Sequence, residues 1–218
     1  MLVHTGFVFR LEAGSIQSRT LQRTAGPCRW AYNHFLSFRE EAYLAAKAAG
    51  GTLPKGAFTY AANCKELTRL RSQLPWLRQA DAGALQQSLK DLDEAYTAFF
   101  AGEAGYPKRR RYGDDRFRVA DKKSFAIDND WIRLPKVGWL RFRKSRELPE
   151  DGVVKNVTVY READHWFVSL CVEHTLAAAA PTGPAIGLDL GIAESISFSD
   201  GRKPVQLPVP TARDNWWT

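Results

Sequence analysis

The sequence predicts an α+β fold in which a compact antiparallel β-barrel carries an inserted group of helices and is followed by a short β-hairpin. Three observations predict it. Residues 2–10 alternate in hydropathy, residues 16–100 carry apolar side chains at three- and four-residue spacing, and residues 116–174 return to a period of two. A final segment, 184–201, then reads as strand, glycine turn and strand around a single aspartate.

The elements follow in order. Residues 2–10 form a strand that completes the later barrel, so the helices are an insertion between its strands. In the helical region Leu21, Cys28, Trp30, Ala31, Phe35, Leu36 and Phe38 make apolar faces, and the alanine-rich stretch 40–49 ends at Gly50-Gly51. A second helix spans about 60–72, and Pro75 interrupts the chain before a third at 84–100. There Leu85, Leu89, Leu92, Tyr96, Phe99 and Phe100 form one stripe, which leaves Gln86, Gln87 and Lys90 nearer to solvent. Short strands at 117–119, 125–127, 131–134, 139–142, 153–160 and 166–172 are separated by turns at Asp128-Asn129, Lys136-Val137-Gly138 and Asp151-Gly152. The organisation expected is a barrel from 1–15 and 104–175, helices over 16–103, a linker at 176–183 and a further domain beginning at 184.

The last segment carries the chemistry. Ile186, Leu188, Leu190 and Ile192 frame Asp189 between Gly187 and Gly191, and the second strand leads to an Asp200-Gly201 turn. Read as a buried strand, it places a carboxylate where an unpaired charge would cost several kcal/mol, so a cation or a hydrogen-bond cluster is expected beside it. RNase H-like nucleases begin with such a hairpin. An ordinary hairpin whose aspartate caps a turn is the bland alternative.

Composition narrows the partners. The 218-residue chain has a net charge of +7, a balance suited to a polyanion, and 44% hydrophobic residues, as in a globular protein. No apolar run is long enough to span a bilayer, and the start of the chain lacks the pattern of a signal peptide. Cys28, Cys64 and Cys171 are scattered without a paired motif, which argues against a disulfide framework or a zinc site and fits a reducing cytoplasm. The densest basic run is Lys108-Arg109-Arg110-Arg111, and Arg141, Arg143, Lys144 and Arg146 follow Trp139 and Phe142. Basic residues interleaved with aromatics suit backbone tracking and stacking on unpaired bases, although a single basic run is more often a solvated surface.

A set of motifs in fixed order joins these parts. They are Gly26-Pro27-Cys28-Arg29-Trp30 continuing to Leu36, Leu74-Pro75-Trp76-Leu77, the helix of 84–100, Tyr106-Pro107-Lys108-Arg109, Ile132 to Phe142, and the Asp189 hairpin. In that order the chain resembles the TnpB/OrfB proteins of bacterial insertion sequences, RNA-guided nucleases related to type V CRISPR effectors, from about Phe7 to Gly201. The resemblance implies a barrel of the oligonucleotide-binding type (the wedge), a helical recognition domain and the first hairpin of a RuvC-like nuclease domain. It implies an RNA-guided DNA endonuclease with guide RNA and target DNA as partners, in the prokaryotic cytoplasm with the nucleoid. Asp189 would be a catalytic ligand of Mg²⁺. Lys108, Arg109, Arg110, Arg111, Arg141, Arg143 and Lys144 would hold the RNA and heteroduplex backbone. Tyr60, Gln86, Gln87 and Lys122 would read the DNA motif flanking the target. Where the family often has a lysine before the reading helix, this chain has Ala82 and Gly83. The family's further carboxylates and its zinc-binding cysteines lie beyond the motifs found here, so the 218 residues alone are not expected to cleave. A nuclease-inactive RNA-guided DNA-binding protein and a simple RNA-binding barrel are the alternatives.

Overall fold

The computed structural model describes residues 1–54, 56–176, 186–191 and 195–205. They fall into two units, Met1–Leu176 and Ala177–Thr218, each described by itself.

In the first unit, strand β1 (Leu2–Leu11) leads into helix α1 (Ser15–Ala48), then α2 (Tyr60–Gln73), the short 3₁₀ helix η1 (Pro75–Arg78) and α3 (Ala82–Phe100). Six strands follow: β2 (Arg116–Val119), β3 (Ala126–Asp128), β4 (Trp131–Leu134), β5 (Gly138–Arg143), β6 (Val153–Glu162) and β7 (His165–Thr175). All seven join one antiparallel sheet in the order β2-β6-β7-β1-β5-β4-β3. β1 lies in the middle of it. Residues Leu2 to Arg10 pair with β7, while Arg10 and Leu11 turn onto β5, opposite Arg143 and Phe142.

The sheet curls into a half-barrel and does not close. The expected barrel is therefore an open sheet instead: β2 and β3 stand at its two ends and do not pair, and the β2 end packs against α1 and α3.

Period-two alternation sorts the two faces. Phe7, Phe9 and Leu11 of β1, Ile132 and Leu134, Leu140 and Phe142, Val157 and Val159, and Val168, Leu170 and Val172 all point into the core. Phe9 and Phe142 meet there at 5.1 Å, and burying each such ring contributes about 1.5–3 kcal/mol. The helices share this core through Leu21, Cys28, Phe35 and Leu36 of α1 and Leu85, Leu89 and Leu92 of α3. Trp166 Nε1 donates to Ser18 Oγ at 2.9 Å and ties the start of α1 to β7.

Helix boundaries have local causes. Gln17 Oε1 accepts the Gly14 N–H at the start of α1, and Thr59 and Asp81 accept the Ala62 and Ala84 N–H groups at α2 and α3. Two expected core residues prove to be exposed: Phe38 is 45% and Phe100 69% accessible. Phe38 packs its ring against Phe58 at 5.5 Å, and Phe100 ends α3 against Tyr96 and Phe99, outside the buried core. Among the described residues no helix is long and apolar enough to cross a membrane.

In the second unit, β8 (Leu188–Asp189) pairs with β9 (Ser197–Phe198). The Asp200-Gly201 turn forms as expected, with Gly201 at φ +81°, and returns the chain to an Ile196–Val205 bridge. The buried strand does not. Leu188 and Leu190 are 64% and 77% exposed, because a ladder of two residues per strand has no second layer over it among the described residues.

Candidate nucleic-acid interface

The basic run lies along the helices, and its members have different roles. Asn33 of α1 clamps the backbone of Arg110 from both sides, donating from Nδ2 to the carbonyl at 2.9 Å and accepting the N–H at 2.8 Å. The Arg110 guanidinium sits 4.1 Å above the Tyr32 ring and reaches Asp91 Oδ2 of α3 at 2.6 Å. The other Asp91 oxygen takes Arg118 of β2. These side chains are only 13%, 20% and 29% exposed for Arg110, Asp91 and Arg118, so the charges are largely removed from water. Burial pushes the Tyr32 hydroxyl pKa up despite the neighbouring Arg110. Arg29 and Asp115 form a similar enclosed pair at 2.7 Å. Arg110 thus ties the basic run to α1 and α3 and, through Asp91, to Arg118 of β2. Its neighbours differ. Lys108 and Arg111 are exposed, and Arg109 makes only an exposed 3.3 Å contact with Glu40. The run presents three cations to solvent and fixes the fourth inside.

The second basic group lies on β5 and the chain beyond it. Arg141 bonds Asp130 at 2.7 Å, which holds the Asp130 carboxyl below the usual carboxylate range. Glu12 lies 3.8 Å from Arg141 and 3.9 Å from Arg143, and Lys144 bonds Glu147 at 2.5 Å. Arg146 stacks 4.7 Å from the Phe7 ring and donates to the Gly6 carbonyl at 3.2 Å. Arg141 and Arg143 remain 55% and 70% exposed, whereas Lys144 is 23% exposed. Lys122 is exposed in a tight turn held by Asp121, which accepts from the Lys123 N–H and Ser124 Oγ.

On α3, Gln86 is exposed and Gln87 partly so, beside Lys90. Gly83 has a local reason: a Cβ there would stand 3.0 Å from Asp81 Oδ2, the carboxylate that caps the helix. Tyr60 opens α2, half-buried, with its hydroxyl pKa raised by burial and by a bond to Cys64. The adjacent Thr59 shares a cleft with Asp93, Tyr96 and Thr97 of α3. At 1.5 Å per residue that part of α3 is roughly 10–16 Å beyond Gln86 along the axis.

Asp189 is exposed on β8, directly opposite Ser197. Among the described residues no group of three or more His, Cys, Asp or Glu side chains could hold a metal ion. One exposed carboxylate can lend a ligand to Mg²⁺ but does not make a site, so no reaction step is derived from these residues. Ile192, Glu194, Trp216 and Trp217 lie outside the described residues.

Comparison with known proteins supplies the context. A family model described as a helix-turn-helix domain, that of OrfB from IS605 elements, matches residues 1–47. A protein of Escherichia coli strain K12 bearing the provisional name RNA-guided DNA endonuclease InsQ is 35% identical over 198 residues, covering 89% of this chain and 47% of the relative. The chain belongs to the OrfB family. A Streptomyces pristinaespiralis relative, also provisionally named an RNA-guided DNA endonuclease, is 32% identical over 217 residues, which is 97% of this chain and 52% of its own length. The chain spans about half the length of these OrfB relatives. The family description and the observed fold differ over residues 1–47. Here that segment is strand β1 and one continuous helix, with Pro27 buried inside α1. An internal proline forfeits one helix hydrogen bond, and the core contacts of Ala25, Cys28 and Ala31 on either side hold the helix together.

The sequence reading missed several residues of this surface. Arg39 stacks 3.8 Å over Tyr96, and Arg10, Arg116, Tyr160 and Phe167 share the open face of the sheet. The alternation of β1, β2, β6 and β7 carries that second signal, since every residue facing away from the core can be counted from it.

Proposed function

We propose that this chain is the guide-holding and target-reading part of an RNA-guided DNA endonuclease of the TnpB type. The similarity to relatives of that name over nearly the whole chain supports this reading, and the single structural observation that carries it is the basic run. Three of its four cations face solvent while the fourth is bolted to the fold, an arrangement suited to holding phosphates at a fixed place on a rigid body. Arg141 and Arg143 on β5 would extend the track. Gln86 and Gln87 would read the flanking duplex from α3, as an exposed glutamine can bond both N6 and N7 of adenine. Tyr60, at the start of α2, would read with them. Asp189 would contribute one Mg²⁺ ligand in the nuclease.

The basic run gives the direct test. Lys108→Ser, Arg109→Ser and Arg111→Ser combined are expected to weaken binding to a structured RNA and to reduce the slope of log affinity against log salt by about 2–3, the release from three phosphates. Thermal stability should stay near the starting value, because none of the three is buried. An unchanged slope would make the run a solvated face and remove the structural support for the proposal.

Gln86→Ala addresses target reading. It is expected to leave RNA affinity and melting temperature intact while losing about 1–3 kcal/mol of preference for one flanking motif. Measured on a randomised flanking library, unaltered preference would reject Gln86 as a reader.

A further inference from the structure

The open face of the sheet carries a cross-strand row that shares only Arg143 with the two basic runs. Arg116 of β2 lies opposite Tyr160 of β6, Tyr160 opposite Phe167 of β7, Phe167 opposite Arg10 of β1, and Arg10 opposite Arg143 of β5. Val159, Val168 and Phe9, next to them in sequence, are buried, so alternation sends the whole row to the other face. At about 4.8 Å between strands, five residues in line span about 19 Å.

Its chemistry is uneven in a telling way. The Tyr160 and Phe167 rings stack at 5.6 Å and 20°, half-exposed at the centre. Arginines flank them on both sides. Among the described residues no carboxylate pairs with Arg10 or Arg116, and Arg143 reaches Glu12 only at 3.9 Å. Arg10 donates to His165 Nδ1 at 3.2 Å. Arg10 and Arg143 therefore stand as like charges directly across two strands, an arrangement that destabilises a sheet and that an anion between them would relieve. Clefts of about 560 and 420 Å³ adjoin the two ends, the first lined by Arg116 and Tyr160 with Asp114 and Asp115, the second by Arg10, Arg143 and His165 with Glu12 and Asp164.

Granting that the chain holds a guide RNA, we infer that this row is a separate subsite for an unpaired nucleic-acid strand. Bases stack on the Tyr160–Phe167 pair, and the flanking phosphates lie between Arg10 and Arg143 on one side and against Arg116 on the other. Stacking alone is tolerant of base identity, so the subsite fixes the path of a strand and not its sequence.

The test uses the 218-residue chain and an oligouridylate of about ten nucleotides, which has no secondary structure, followed by fluorescence anisotropy. Tyr160→Leu with Phe167→Leu removes the π faces and is expected to weaken binding about 5- to 150-fold, while Tyr160→Phe retains it. Arg10→Gln with Arg116→Gln touches only exposed side chains, and is expected to lower the salt slope by about 1.4 without moving the melting temperature. Oligouridylate binding within twofold of the parent in the arginine pair, with the slope unchanged, overturns the inference whatever the leucine pair does to folding. A chain that binds structured RNA but no oligouridylate overturns the subsite and leaves the guide-holding reading standing. A chain that binds neither overturns both.

Discussion

Asp91→Ala should lower the stability of the folded chain by about 2–4 kcal/mol. Asp91 is the common acceptor for Arg110 at 2.6 Å and for Arg118, and all three groups are under a third exposed. Removing it leaves the Arg110 guanidinium largely buried without a carboxylate partner and Arg118 with only Glu94 at 4.0 Å, and breaking a fully buried pair in this way costs about 3–5 kcal/mol. The remaining contact with water lowers the figure. For a chain of this size the loss corresponds to a fall in melting temperature of about 5–15 °C. Asp91→Asn keeps an acceptor and the side-chain volume, so it should recover part of the loss. Arg110→Ala should be nearly as harmful as Asp91→Ala, and the double variant far less than additive, because both remove the same interaction. Denaturant unfolding of the four proteins checks this. Additive effects, or a melting temperature for Asp91→Ala within about 2 °C of the parent, would show that the Asp91 cluster is incidental to stability. The result bears on function as well: any RNA-binding variant that includes Arg110 measures folding and recognition together.

The fold was legible where one periodicity ran without competition. Leu2 to Leu11, Tyr60 to Gln73, and the strands at 131–134 and 139–142 follow alternation or helical spacing closely, and each formed within a residue or two of its expected limits. Sheet closure was not legible, because β2 packs against α1 and α3, elements far from it in sequence, and alternation says nothing of such contacts. Phe38 and Phe100 fit the apolar stripes of their helices yet lie outside the buried core. For the interface, the sequence marks where cations are dense but not which of them the fold uses. Arg110 looks like its neighbours until Asp91, 19 residues away, and Asn33, 77 residues away, gather around it with Tyr32. The row of Arg10, Phe167, Tyr160 and Arg116 lies on four strands in register, and only pairing makes it visible.

In a cleavage-competent protein carrying this segment, Asp189→Ala is expected to reduce guided DNA cleavage about 10²–10⁴-fold. A metal ion at a phosphoryl oxygen supplies several kcal/mol of charge stabilisation in the transition state, and each 1.36 kcal/mol is tenfold in rate. The substitution is clean here for a structural reason. Asp189 is exposed, and no ion pair reaches it among the described residues. Its place in β8 depends on backbone pairing opposite Ser197 and not on its carboxylate. Removing the side chain should therefore change stability by no more than about 0.5 kcal/mol and leave guide RNA affinity within a few fold. Asp189→Asn, which keeps size and polarity but loses the charge, should behave like the alanine variant. If the aspartate were only a turn or surface residue, both variants would cut at the parental rate. Loss of cleavage accompanied by an equal loss of RNA binding would instead assign Asp189 to the fold. Cleavage lost with binding and melting temperature retained is the one pattern that a metal ligand produces.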